Sequence, residues 1–286
     1  MWVLFAFGAA IFAGITAILS KIGIRNMDSN VATAIRTGVV LLFSWLMVFL
    51  VGSQNEILNI SGKTLLFLVL SGLATGASWL CYFKALQLGD VNKVTPVDKS
   101  STVLTMIFAF IFLGEAITPI KVLAMVLIGL GTYLMIQKKQ TGSKAPESSL
   151  WLVYAIGAAI FASLTSILAK IGIEGIESNL GTAIRTIVVL VMAWLIVFVT
   201  GKQHTVKDID RKSGIYLILS GFATGGSWLC YYRALQDGPA SVVVPIDKLS
   251  ILVTIAFSYF FLKEKLSPKS ILGLIMIVTG TLSLLI

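Results

Sequence analysis

The chain has 286 residues, 57% of them hydrophobic and 12% charged, with a mean hydropathy of +0.95 and a formal net charge of +9. A water-soluble fold of this size cannot hide that much apolar surface, so a soluble enzyme or soluble nucleic-acid-binding domain is excluded and an integral membrane protein is left. The basic residues mostly flank the apolar runs and read as orientation signals; no nucleic-acid partner is implied.

Apolar runs of about 20 residues, each long enough as a helix to cross ~30 Å of hydrocarbon, recur ten times: 2–24, 31–51, 64–86, 91–113, 119–137, 151–173, 180–200, 213–235, 240–262 and 268–286. The first has no basic leader segment and its twin at 151–173 is internal, so it is expected to be a working helix and not a cleaved signal. The first two runs of each half carry Lys21 and Arg36, or Lys170 and Arg185. Such side chains either snorkel to the headgroups or, for the arginines several residues inside their spans, face a polar cavity.

The third run holds Gly72 and Gly76, matched later by Gly221 and Gly225. Small residues four apart let helix backbones approach closely. Ser78, Trp79 and Tyr82, with Ser227, Trp228 and Tyr231, follow on the same spans, and either an interfacial aromatic belt or a substrate pocket accounts for them. The fourth run contains Pro96, Asp98 and Lys99, and the ninth Pro245, Asp247 and Lys248. Helix-start chemistry explains proline and a nearby carboxylate. It explains the adjacent lysine poorly, and a charge about 10 Å into a span should be paired or line a wet cavity.

These correspondences are one duplication. Residues 71–115 return as 220–264 at an offset of 149, with twelve of the first sixteen positions identical and no gap. Extended, it pairs 2–137 with 151–286 and leaves 138–150 as a polar linker. The expected fold is therefore an all-α integral membrane protein of ten transmembrane helices in two five-helix repeats. Five is odd, so the second repeat starts from the other side of the membrane and lies inverted. Loops assigned alternately to the two sides carry 16 and 6 basic residues, which puts the linker in the cytoplasm and both termini outside. Inversion would gather Asp98, Lys99, Arg36, Lys21 and Lys84 toward one mouth and Asp247, Lys248, Arg185, Lys170 and Arg233 toward the other. Ion pairs between helices could then act as two related gates. Cys81 and Cys230, on opposite sides of the midplane, are too far apart for a disulfide.

The end of the third run (YFKAL 82–86, YYRAL 231–235), the mid-repeat prolines Pro96 and Pro245, and the exits LGEAIT 113–118 and LKEKLS 262–267 resemble the drug/metabolite transporter superfamily, EamA type. The likeness covers 2–137 and 151–286. It implies ten helices in two inverted repeats and export of small metabolites such as amino acids, or of drugs. Thr102 and Ile251 stand where that family commonly has a second proline, Asp98–Lys99 is outside its usual pattern, and its members are usually drawn with both termini in the cytoplasm.

The functional expectation is a secondary-active exporter in the cell inner membrane, working by alternating access on a small metabolite held between spans 1, 3, 4 and 6, 8, 9. The excess of basic groups at both mouths favours an amino-acid-like or anionic substrate. A multidrug or organic-cation exporter, and a channel or lipid scramblase, are the alternatives. Spans 1 and 6 carry no acid, which argues against the cation-exporting branch with its first-helix carboxylate. The absence of a P-loop leaves an ion gradient, protons included, or exchange to drive transport. There is no HExxH and no cluster of cysteine and histidine, so no enzyme chemistry, metal or cofactor is expected.

Overall fold

A computed structural model describes residues 1–23, 27–88, 91–135, 150–262 and 267–286, and every regular element in them is helical. The first half contributes α1 (Trp2–Gly23), α2 (Ser29–Val51), α3 (Gly62–Leu88), α4 (Val91–Lys99), α5 (Ser101–Phe112) and α6 (Pro119–Met135). The second contributes α7 (Leu150–Ile173), α8 (Ser178–Val199), α9 (Arg211–Asp237), α10 (Ala240–Lys248), α11 (Ser250–Leu262) and α12 (Pro268–Ser283). Short 3-10 turns at Ser53–Asn59 and Gln203–Asp208 follow α2 and α8.

Five of these helices, and the α10–α11 stretch Ala240–Phe257, are long and apolar enough to cross a bilayer. Their outward faces carry exposed apolar side chains such as Leu42 (74% exposed) and Phe198 (61%), which a membrane protein presents to lipid.

The helix ends repeat at the same offset as the sequence. Asp28 caps α2 by accepting from the amides of Asn30 (2.9 Å) and Val31 (3.2 Å), and Glu177 caps α8 through Asn179 (2.9 Å) and Leu180 (3.1 Å). Each occupies an orphan amide pair at a helix start. Gly52 (φ 81°) and Gly201 (φ 66°) follow the same two helices in the left-handed conformation that glycine tolerates best.

The fourth and ninth apolar runs are not single helices. Ser100 separates α4 from α5, and Leu249 separates α10 from α11. In α10 the cause is Pro245, six residues in, which has no N–H for the Ser241 carbonyl and crowds that turn. The expected proline in a helical first turn is thus a proline just before a break.

Contacts between the halves also come in pairs. α1 runs antiparallel to α9: Ser227 Oγ donates to Ala9 O (3.0 Å), Thr224 Oγ1 lies 3.3 Å from Thr16 Oγ1, and Ser20 Oγ lies 2.7 Å from Ser220 Oγ. α3 and α7 repeat the arrangement, with Ser78 Oγ donating to Ala158 O (2.9 Å) and Ser71 Oγ to Thr165 O (2.7 Å). Gly72 sits so close to α8 that a Cβ there would meet Val188 Cβ at 2.7 Å, and its counterpart Gly221 would meet Val39 Cβ at 2.5 Å. The glycine spacing therefore serves close packing, the main source of helix association where lipid removes the hydrophobic drive. The cysteines are free and fill matching niches, Cys81 against Gly157 and Cys230 against Gly8.

Candidate substrate cavity

A cavity of about 300 Å³ lies where α1, α3, α7, α8, α9 and α10 meet. Its wall brings together Ser78, Trp79, Arg185, Ser227, Trp228, Tyr231, Asp247 and Lys248, eight of the residues singled out in the sequence.

Arg185 is the unusual member. It is 2% exposed, yet no carboxylate lies within ion-pair distance of it among the described residues. Its Nε donates to Ser71 Oγ (2.9 Å) and its Nη2 to Thr75 Oγ1 (2.5 Å). The guanidinium carbon stands 5.3 Å from the Trp228 ring and 5.1 Å from that of Tyr232, the geometry of a cation held by aromatic faces. Nη1 is buried and has no hydrogen-bond partner among the described residues. An unfilled donor on a buried cation is costly unless something else supplies the acceptor.

The other polar groups are largely committed. Ser78 and Ser227 donate to Ala158 O and Ala9 O, so their hydroxyls fasten the halves together. Tyr231 OH and Ser166 Oγ are 2.8 Å apart. Asp247 pairs with Lys248 at 3.4 Å. Two cations and one carboxylate, the carboxylate already paired, leave the wall of the cavity with a net positive charge.

Four expected site residues lie off this wall. Arg36 lines a separate cavity of about 120 Å³ with Asn30, Thr33, Trp79, Phe83, Ala193 and Ile196. Tyr82 packs with Val97 and Trp151 against buried Ala85, Val94 and Ala155. Asp98 and Lys99 pair with each other at 3.7 Å and line none of the three cavities described. The expected gates, ion pairs between helices, are therefore corrected in one respect: Asp98–Lys99 and Asp247–Lys248 are pairs between sequence neighbours on one helix. Arg233 likewise pairs along α9 with Asp237 (3.1 Å), and Lys84 donates to Gln87 (3.4 Å). Lys170 does not snorkel, because it donates to the carbonyls of Leu235 (2.5 Å), Gln236 (3.1 Å) and Gly238 (3.1 Å) at the end of α9, where the helix dipole favours a cation. The Lys21 side chain, Glu264 and linker residues 138–149 lie outside the described residues.

Ser71, Thr75 and Glu115 were missed as site residues. The first two sit in the repeated stretch SGLATG/SGFATG, so the duplication itself marked them. Glu115, in the loop after α5, accepts from the amides of Ala240 (2.6 Å) and Ser241 (3.2 Å) and from Ser241 Oγ, and pairs with Lys121 (3.6 Å). It anchors the start of α10, the helix bearing Asp247, to the first half. It also lines a third cavity of about 610 Å³ with Lys170, Glu174 and Asp237.

Helices with lipid-facing apolar sides around a buried, polar, cation-bearing cavity define a polytopic membrane protein. The chain belongs to the EamA-like transporter family, whose pattern matches residues 1–137 and again 149–286, and so to the drug/metabolite transporter superfamily. An uncharacterized transporter in the cobO 3'region of Sinorhizobium sp is 44% identical over 137 residues, which is 97% of that protein and 48% of this chain. That relative is thus about the length of one half. An uncharacterized transporter from Archaeoglobus fulgidus is 21% identical over 99% of this chain and 98% of its own length. A solved crystal structure superimposes with a TM-score of 0.80 at 15% identity, covering 99% of this chain and 96% of that one, a likeness of fold.

Proposed function

We propose that the chain is a secondary-active exporter of a small metabolite, amino-acid-like or an organic anion, that works by alternating access in the cell inner membrane with halves 2–137 and 151–286 inverted. The observation that carries the substrate reading is Arg185, a buried cation on the wall of a cavity of about 300 Å³ that has, among the described residues, no carboxylate partner and one donor unfilled. A substrate carboxylate supplies what Nη1 lacks, while Trp228 and Trp79 offer faces for an apolar or cationic remainder.

Inversion is supported by the antiparallel pairing of α1 with α9 and of α3 with α7. In a bundle whose spans alternate, α1 and α3 run the same way, so a second copy of α3 antiparallel to α1 is upside down. A relative about one half as long fits a fusion of two such units. The basic loops favour a cytoplasmic linker and external termini. A proton or another ion is the coupling partner, with Asp247, and Asp98 in the opposite state, as candidate carriers. The cavity's net positive charge favours this reading over an organic-cation exporter.

Thermal-shift measurements followed by counterflow in proteoliposomes test it, with labelled alanine, leucine, glutamate, succinate and a quaternary amine as probes. Saturable counterflow of a carboxylate, with a half-saturation concentration raised about tenfold or more on one face in Arg185→Gln, is expected. Unsaturable flux indicates a pore, and a preference for the quaternary amine indicates a cation exporter; either result contradicts the proposal.

A further inference from the structure

The second arginine shares three wall positions with the first. Subtracting 149 converts Arg185, Trp228 and Tyr232 into Arg36, Trp79 and Phe83, and these three line the smaller cavity together. Ser71, which takes the Arg185 Nε, becomes Ser220. Arg36 reaches that serine through one extra hydroxyl: its Nη1 donates to Ser20 Oγ (2.8 Å), which lies 2.7 Å from Ser220 Oγ. The counterpart of Ser20 is Ala169, so Arg185 touches its serine directly. No carboxylate lies within ion-pair distance of Arg36 among the described residues either. Trp79 lines both cavities and is the side chain they share.

We infer that Arg36 and Arg185 are two stations for the same carboxylate, used in turn from opposite faces of the membrane, with Trp79 as the partition between them. The inference rests on the carrier reading above and adds a second binding site to it. Asn30 and Thr33, at the start of α2, place the Arg36 station toward the face of the α1–α2 loop. Arg185 occupies the same position in α8, so inversion sets its station toward the face of the α7–α8 loop. In the described state the Arg185 cavity is the larger, about 300 Å³ against about 120 Å³. Exchange of the halves' conformations makes the Arg36 cavity the larger. The substrate carboxylate then passes from one guanidinium to the other and never leaves a cationic partner for bare hydrocarbon.

Sided kinetics test this. The probe is whichever of labelled alanine, leucine, glutamate and succinate wild-type proteoliposomes exchange fastest, supplied to right-side-out and to everted membrane vesicles. Arg185→Gln is expected to raise the half-saturation concentration about tenfold or more on the face of the α7–α8 loop, and less than about twofold on the other. Arg36→Gln is expected to do the reverse. Arg36→Lys and Arg185→Lys, which keep the charge, carry the same sidedness with smaller shifts if a glutamine variant fails to fold. Equal shifts on both faces for each variant would mean one shared station, overturning the inference while leaving the carrier reading intact. An Arg36 variant without effect on either face overturns it too. Exchange of none of the four probes by the wild type overturns both.

Discussion

Arg185 is 2% exposed and, among the described residues, has an unfilled donor and no carboxylate within ion-pair distance. A group so placed costs stability. Arg185→Met, which keeps volume and removes the charge, is accordingly expected to leave the thermal midpoint without solute unchanged or higher, within about 1–4 kcal/mol of gain, and to weaken carboxylate counterflow about tenfold or more on one face. Ser71 and Thr75 keep other partners in that variant, because Ser71 Oγ donates to Thr165 O and Thr75 Oγ1 to Ser71 O. A large fall in thermal midpoint would assign the arginine a structural role. Arg36, Arg185, Asp98 and Asp247 were legible as candidates from one fact, a charge inside an apolar run. The aromatic sandwich of Trp228 and Tyr232 was not, because it depends on how α8 sits against α9, and sequence periodicity does not set that rotation.

At the scale of elements, close backbone approach sets what each helix tolerates. A Cβ on Gly131 of α6 would lie 2.6 Å from Gly273 O of α12, whereas one on Gly38 of α2 meets nothing within 4 Å. Gly131→Ala is expected to lower stability by about 1–3 kcal/mol, since a carbonyl cannot swing aside. Gly38→Ala is expected to raise it by up to about 1 kcal/mol through helix propensity. Thermal melts of the two variants in one detergent decide. Glu115→Gln, which removes the charge at the α10 N-terminus and the ion pair with Lys121, should cost about 1 kcal/mol. The control Glu174→Gln should cost less; equal losses would mean that Glu115 acts only as one more surface charge. The helices themselves and the Gly72 and Gly221 contacts follow from local pattern. The breaks at Ser100 and Leu249 do not, because the apolar runs continue unbroken through them and only Pro96 and Pro245 hint at an interruption. Glu115 stayed hidden for a related reason: its partners lie 125 and 126 residues away.

For the whole molecule, the pairing of halves is the feature most openly written in the chain, since Ser71, Gly72, Thr75 and Ser78 recur 149 residues later with the same kinds of partner. What sequence alone left open was which half meets which: α1 pairs with α9 and α3 with α7, so the cavity belongs to both halves and to neither alone. The proposed alternating access needs each half to move against the other, so the halves should support transport only together. Co-expression of residues 1–137 and 150–286 as separate chains is expected to restore counterflow that neither supports singly.

The head-to-foot arrangement of the halves is tested most directly by the sidedness of two equivalent loop positions. In a chain with Cys81→Ala and Cys230→Ala, single cysteines introduced as Gln54→Cys and Gln203→Cys stand 149 residues apart in the turns that follow α2 and α8. A membrane-impermeant maleimide added to intact cells should label the first, and should reach the second only after the cells are permeabilised. Labelling of both from the same face would contradict the account.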